Sequence, residues 1–523
     1  MPDDSSAYLE DAAHFPGGHA AGVVFPRSEA DVADALRSAR AVLPIGAQSS
    51  LTGGATPMGE VVLSTSKMTH VGIGRGRVDV GAGVTVAALQ ERLAEAGAWF
   101  PPVPTFTGAC AGGIVATNAA GAATFKYGSV RNWVDALTVV LADGTVLDIR
   151  RGQSFARQGR FEVDTLSGRA AFAVPSYRMP RVAKRSAGYH AEPDMDLIDL
   201  FIGSEGTLGI ITRVTFRTVT PAPNIVLAFV PCPDEASAIA LTGRLRDASM
   251  QTWRDRAPSG IDAAAIEHLD RRSLQIVRED GADRRNNVAV PDATQIALLV
   301  QLELDPAIDA ASAFDEIQGA LETLETATGV GTGLAAFCRE LDAFGVLADT
   351  QIALPHDTRR IGELLAVREA VPAGVNQRIG QAKRSVDARI EKTAADMIVP
   401  FDRFAEMMAI YRHGFASRGL DYAIWGHISD GNVHPNVIAR SFDDVQQGKA
   451  AILEFGREVA RLGGCPLAEH GVGRNPVKQA LLGQLYGERG IEEMRIVKRA
   501  LDPRWRLSPG VIFPESPQAS KEQ

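Results

Sequence analysis

Cysteine is scarce in this chain: among 523 residues only Cys110, Cys232, Cys338 and Cys465 occur, and no two form a CxxC pair. Such spacing excludes a disulfide framework, a cysteine-built zinc site and an iron–sulfur or CxxCH haem centre, and it suits a reducing compartment. Long apolar runs are also missing. No stretch approaches the roughly 18 residues that a membrane-spanning helix requires. The acidic opening MPDDSSAYLEDAAHFPGG has no apolar core of the kind a secretory signal carries. Positive charge is in deficit, with 54 Lys and Arg against 63 Asp and Glu. The densest basic stretch, Lys383, Arg384, Arg389 and Lys392, is interleaved with acids as on a solvated helix face, which argues against a nucleic-acid partner. The expectation is a cytoplasmic protein without a transmembrane segment; a peripheral membrane contact and a homodimer stay open. Two nucleotide-binding signatures are absent as well. VDVGAGVTV supplies Gly81 and Gly83 but puts Val86 where the dinucleotide fingerprint needs its third glycine, and no P-loop pattern occurs.

What is present begins with length, which exceeds what one hydrophobic core serves, so at least two domains are expected. AGVVFP ends at Pro26, and Ser28 with Asp31 then predicts a capped helix running towards Arg40. The runs VVLS and RVDVGAG read as strands, and DALTVVLADGTVLDIR reads as a hairpin around Asp143-Gly144. This mixed order implies an α+β fold rather than a strict βαβ repeat. Residues 151–200 show little periodicity and read as a long excursion, and TPAP at 220–223 reads as a linker. From 224 to about 400, strands such as QIALLVQLEL alternate with alanine-rich helices, as in a second α/β domain. The expected division is 1–222, 223–470 and a C-terminal segment 471–523 that returns to the first domain.

Two loops have the composition of an anion cradle. PIGAQSSLTGGATP concentrates Gly46, Ser49, Ser50, Thr52, Gly53 and Gly54 after a short strand, where backbone N–H groups and hydroxyls can approach a pyrophosphate. FTGACAGGIVATNAAGAATFKYG surrounds Asn118 with small residues and ends at Gly128.

Histidines concentrate in GHISDGNVHPN at 426–436 and AEHGVG at 468–473. A two-residue turn at Asp430-Gly431 would oppose His427 directly to His434, with Cβ atoms roughly 4.5–5.5 Å apart, a separation at which two imidazoles share a metal. Asn436 falls on the same face. Glu469 can supply a third ligand in a His₂Glu set with open positions, which frees His470 to act as a base.

The segments GAQSSLTGGA, GGIVATNAAG with KYG, and GSEGTLGIIT at 203–212 resemble the FAD-binding domain of the vanillyl-alcohol oxidase/p-cresol methylhydroxylase (PCMH) superfamily. GHISDGNVHPN with AEHGVGR resembles the branch of D-lactate dehydrogenase, the glycolate oxidase D subunit and D-2-hydroxyglutarate dehydrogenase. The resemblance implies an N-terminal PCMH-type FAD-binding domain. A cap (substrate) domain with an antiparallel sheet and a C-terminal helical segment would follow. It places Gly46, Ala47, Gln48, Ser49, Ser50, Thr52, Gly53 and Gly54 on FAD. It adds Gly112, Gly113, Asn118 and Gly128 from the second segment, and Glu205, Gly206 and Ile210 from the third. No histidine lies between His70 and His190, so a non-covalent FAD is expected.

The same resemblance implies a divalent metal on His427, His434 and Glu469, with zinc the expected ion and manganese or iron as alternatives. His470 would be the base, and Arg368, Lys392 and Asn436 would hold substrate. The implied reaction is oxidation of a D-lactate-like 2-hydroxy acid to the 2-oxo acid by hydride transfer to flavin N5. Electrons would leave to an external quinone, electron-transfer flavoprotein, cytochrome or other subunit. Two alternatives stand beside it: a non-redox FAD enzyme of the alkylglycerone-phosphate synthase type, and a metal-dependent hydrolase. The chain departs from the family pattern at Ser429, where a glycine is usual, and at Ser508, where an asparagine is usual.

Overall fold

Ser28 caps the helix Glu29–Ser38 as its sequence predicts: its Oγ accepts the Asp31 N–H while the Asp31 carboxylate accepts the Ser28 N–H. The apolar stripe Val32, Ala33 and Leu36 of that helix packs on Val42, Leu63, Val140, Ile210 and Leu507 to form one core of the protein. This computed structural model describes residues 5–323 and 332–514.

The chain divides into two compact units. The first comprises Met1–Gly121, Gly128–Thr220 and Val459–Gln523; the second comprises Ala122–Tyr127 and Pro221–Glu458. The sequence placed its boundaries at 222 and 470; the observed division groups residues 459–470 with the first unit.

In the first unit, Gly22–Val24, Val61–Ser64 and Val42–Ile45 form a three-stranded parallel sheet in that order. A five-stranded antiparallel sheet runs Val71–Gly74, Arg77–Gly81, Ile210–Arg217, Val134–Val140, Val146–Arg150. Its last two strands are the expected hairpin, turning at Gly144 with φ +89°. The excursion contains an antiparallel pair of its own, Arg160–Thr165 with Gly168–Ala173. The C-terminal segment adds the helix Pro476–Leu501, and Leu507 then bridges in parallel to Val42.

The second unit is built on an eight-stranded antiparallel sheet. Its order is Gln351–Ala353, Asn224–Cys232, Ile296–Leu304, Ala263–Leu269, Tyr422–His427, Asn432–Val437 and Thr393–Ala394, with Met397–Ile398 also on the 432–437 strand. Helices Glu235–Asp255, Arg271–Glu279, Thr358–Ser385 and Phe404–Ala416 accompany it. The fold is α+β with antiparallel sheets, as expected. Among the described residues no helix is long and apolar enough to cross a membrane.

Candidate active site

The first unit encloses a cleft of about 280 Å³ where its glycine-rich loops converge. Gly46, Ala47, Gln48, Ser49, Ser50 and Gly54 line it from the first loop, Gly112 and Gly113 from the second, and Glu205, Gly206 and Ile210 from the third. The remaining residues expected on the cofactor do not line this cleft but shape its loops. Thr52 is buried and bonds Ser50 Oγ at 3.1 Å. Gly53 has φ +75°, with Phe15 pressed where a Cβ would project. Asn118 accepts the Arg131 N–H at 3.1 Å, and Gly128 turns the chain with φ +73°.

The lining suits a flavin. A Cβ built on Gly113 meets nothing within 4 Å, so bare backbone opens onto empty space there. Phe106 and Cys110, from the segment FTGACAGG but not among the residues expected on the cofactor, add apolar wall. Glu469 and His470 line the same cleft, which brings the proposed base and one proposed metal ligand to the flavin loops.

The loop carrying these two residues is fixed by charge. Glu205, held at φ +52° beside Gly206, accepts the N–H groups of Val472 and Gly473, each at 2.8 Å. Burial pushes its carboxyl up to about 7 against the opposing pull of those amides. Gly471 turns at φ +72°, and a Cβ there would stand 2.8 Å from Glu205 Oε1. Only glycine fits this corner. We expect Gly471→Ala to cost about 1–3 kcal/mol, seen as a lower melting temperature and partial loss of bound FAD. Arg474 next along bonds Glu60 at 2.6 Å. Ser508 donates to Gly206 O at 3.2 Å, so the serine at this departure still ties the C-terminal segment to the third loop.

Glu469 is itself paired. The ammonium of Lys184, wholly buried, donates to its Oε1 at 2.5 Å. His470 Nε2 lies 3.9 Å from the other oxygen. Lys184 comes from the aperiodic excursion, where no sequence signal singled it out.

In the second unit the histidine hairpin differs from the expected one. His427 pairs with Asn432 and His434 with Trp425, so the two histidines are not directly opposed. The reason is the turn. Asp430 is not in the left-handed region that a two-residue Asp-Gly turn demands; Ile428–Asp430 forms a 3₁₀ turn and Gly431 alone takes φ +82°. The register therefore slips by two residues. An even slip leaves every side chain on its original face, and the imidazoles still meet, centroids 5.4 Å apart and nearly perpendicular. Ser429, inside the turn, accepts the Ile266 N–H at 3.2 Å.

Each histidine has a carboxylate beside it. His427 Nδ1 bonds Glu267 Oε1, and His434 Nδ1 is 3.4 Å from Asp396 Oδ1. Metal-ligating histidines commonly turn one ring nitrogen to a carboxylate in this way. The chemistry of these two imidazoles therefore suits ligands to a divalent ion. Glu267 was missed by the sequence reading, though an acid inside the apolar run AAAIEHL was a visible signal.

Burial raises the Glu267 pKa, but His427 and Arg368 outweigh it and hold the carboxyl below the usual range. Arg368 donates Nε to Glu267 at 2.9 Å and Nη1 to Glu369 at 2.8 Å. Its fork is thus partly engaged by the protein. Asn436 lies opposite Ala394 and Ala423, and its amide donates to His434 O at 2.8 Å. Lys392 is exposed, just ahead of the 393–394 strand.

A glycine-lined cleft of flavin type in the first unit and an antiparallel sheet in the second are the features of an FAD-binding oxidoreductase. Residues 20–150 match the FAD binding domain family, and residues 232–512 match the C-terminal domain of FAD linked oxidases. The chain belongs to the FAD-linked oxidases. It is 28% identical over 504 residues to a D-2-hydroxyglutarate dehydrogenase, mitochondrial, of Bos taurus, covering 94% of this chain and 76% of that protein. It is also 28% identical over 502 residues to a D-lactate dehydrogenase of Archaeoglobus fulgidus, covering 94% of this chain and 90% of that one. A solved alkyldihydroxyacetonephosphate synthase shares the fold, with a TM-score of 0.57 and 13% identity over 93% of this chain and 76% of that one.

Proposed function

We propose that the protein is an FAD-dependent dehydrogenase that oxidises a D-lactate-like 2-hydroxy acid to its 2-oxo acid. The observation that carries this reading is Glu469 and His470 on the wall of the flavin cleft. Bound FAD would supply the hydride acceptor for the substrate's α-hydrogen, and a bound divalent metal would acidify the hydroxyl. His427, His434 and Glu469 would hold that metal, for which zinc is the first choice and manganese or iron the alternatives. His470 takes the hydroxyl proton at Nε2, and the neighbouring Glu469 carboxylate stabilises the imidazolium formed. Arg368 pairs the substrate carboxylate through Nη2, which has no partner among the described residues, with Asn436 and Lys392 as further contacts.

FAD is held without a covalent bond in this reading. Electrons pass to an external quinone, electron-transfer flavoprotein, cytochrome or other subunit. The four buried cysteines form no disulfide among the described residues, which is consistent with the cytoplasmic setting proposed. A hydrolase working through the histidines and Glu469 would leave the FAD-binding domain without a role.

Anaerobic mixing of the yellow protein with D- and L-2-hydroxy acids tests the reading. At least one acid should bleach the flavin within seconds, and a chelator should abolish the bleaching. An oxidised flavin with every acid, in zinc-replete protein, overturns it.

A further inference from the structure

We infer that Glu267 is a positioning residue that holds the metal-binding and carboxylate-binding parts of the site in one geometry. The inference rests on the roles proposed above for His427 and Arg368, and extends them to a residue outside the histidine and arginine motifs. Glu267 lies in the strand Ala263–Leu269, all seven of whose residues are buried. An acid in that setting is retained only where both oxygens are satisfied. Both are, and by different parts of the site: Oε1 by His427 Nδ1, Oε2 by Arg368 Nε at 2.9 Å.

Each bond has a chemical consequence. A neutral imidazole has one N–H and one lone pair. With Nδ1–H given to Glu267, the lone pair stands on Nε2, the form in which an imidazole ligates a metal. On the other side, Glu267 fixes the Nε edge of Arg368 while Glu369 takes Nη1 at 2.8 Å. That restraint presents Nη2 as the nitrogen for a substrate carboxylate. One carboxylate thus sets the tautomer of a ligand and the orientation of a guanidinium. A purely structural ion pair would affect stability alone.

The test uses the full-length, FAD-loaded protein. Zinc affinity is measured by competition with a chromophoric chelator, and KM with D-lactate and with D-2-hydroxyglutarate. Glu267→Gln should weaken zinc about 10–100-fold and raise KM about tenfold, with FAD content unchanged. Arg368→Lys should raise KM and leave zinc affinity alone. Glu267→Asp, which keeps the charge but cannot span both partners, should give intermediate losses of both and covers the case of a glutamine variant that fails to fold. If Glu267→Gln keeps zinc affinity and KM within twofold while His427→Ala loses zinc, the inference fails and the site assignment stands. If His427→Ala binds zinc as tightly as the parent, the metal reading itself fails.

Discussion

Replacing His470 with alanine lowers turnover by about 10²–10⁴-fold, the range expected when a general base is removed, while the protein keeps its FAD. The magnitude follows from placement. His470 lines the flavin cleft, with Nε2 3.9 Å from the carboxylate that precedes it. Its backbone runs into a corner fixed by Gly471 at φ +72° and by two amides on Glu205. Alanine leaves those bonds in place, so FAD content should not change. Stopped-flow reduction by the best 2-hydroxy acid isolates the step, and its rate constant should fall as far as turnover does. Reduction within threefold of the parent would show that another group takes the proton.

Lys184→Met should cost roughly 3–5 kcal/mol, the usual penalty for removing one partner of a buried ion pair. Neither group is screened: the side chain of Lys184 is 0% exposed and that of Glu469 is 8% exposed. The variant takes the ammonium away from a buried carboxylate and puts an apolar side chain in its place. Its melting temperature should drop by roughly 10 °C. Adding Glu469→Gln to Lys184→Met should recover part of the loss, because the buried negative charge is gone. Zinc should also restore part of it in the single variant, since a cation on Glu469 replaces the missing ammonium. A melting temperature within 2 °C of the parent would mean that Glu469 finds another partner, and the pair would lose its assigned importance.

The two histidine motifs and the three glycine-bearing segments were legible because their chemistry is local. Small residues permit close backbone approach, and the spacing of His427, His434 and Asn436 puts them on one face in any register that slips by an even number. The register itself was not legible. It depends on whether Asp430 adopts a left-handed conformation, and a dipeptide preference does not decide that when Ile428, Ser429 and Asp430 can wind into a 3₁₀ turn. The roles of Lys184 and Glu267 were not legible for a different reason, even though Glu267 stands out as an acid in an apolar run. Their meaning comes from partners 285 and 160 residues away, and only the folded chain brings those pairs into contact. TPAP at 220–223 gave the sequence its first boundary, beside the change of unit at Thr220–Pro221. The division was less clear near 470, where the helix Phe442–Arg461 runs through the change of unit without any break in sequence.

The bridge between Val42 and Leu507 has a consequence for how the protein is made. Val42 donates its N–H to Arg506 O and accepts that of Ser508, so an early strand gains a neighbour from nearly the last described residues. Residues 221–458 must be synthesised between the first unit's two main parts. At typical elongation rates of about 5–20 residues per second, that interval lasts roughly 10–50 s. Throughout it, the nascent flavin domain lacks Leu507 from its core and the whole loop that carries Glu469 and His470. The proposed base and one proposed metal ligand are therefore delivered late, to a scaffold that has waited, partly open, for its own C-terminal segment.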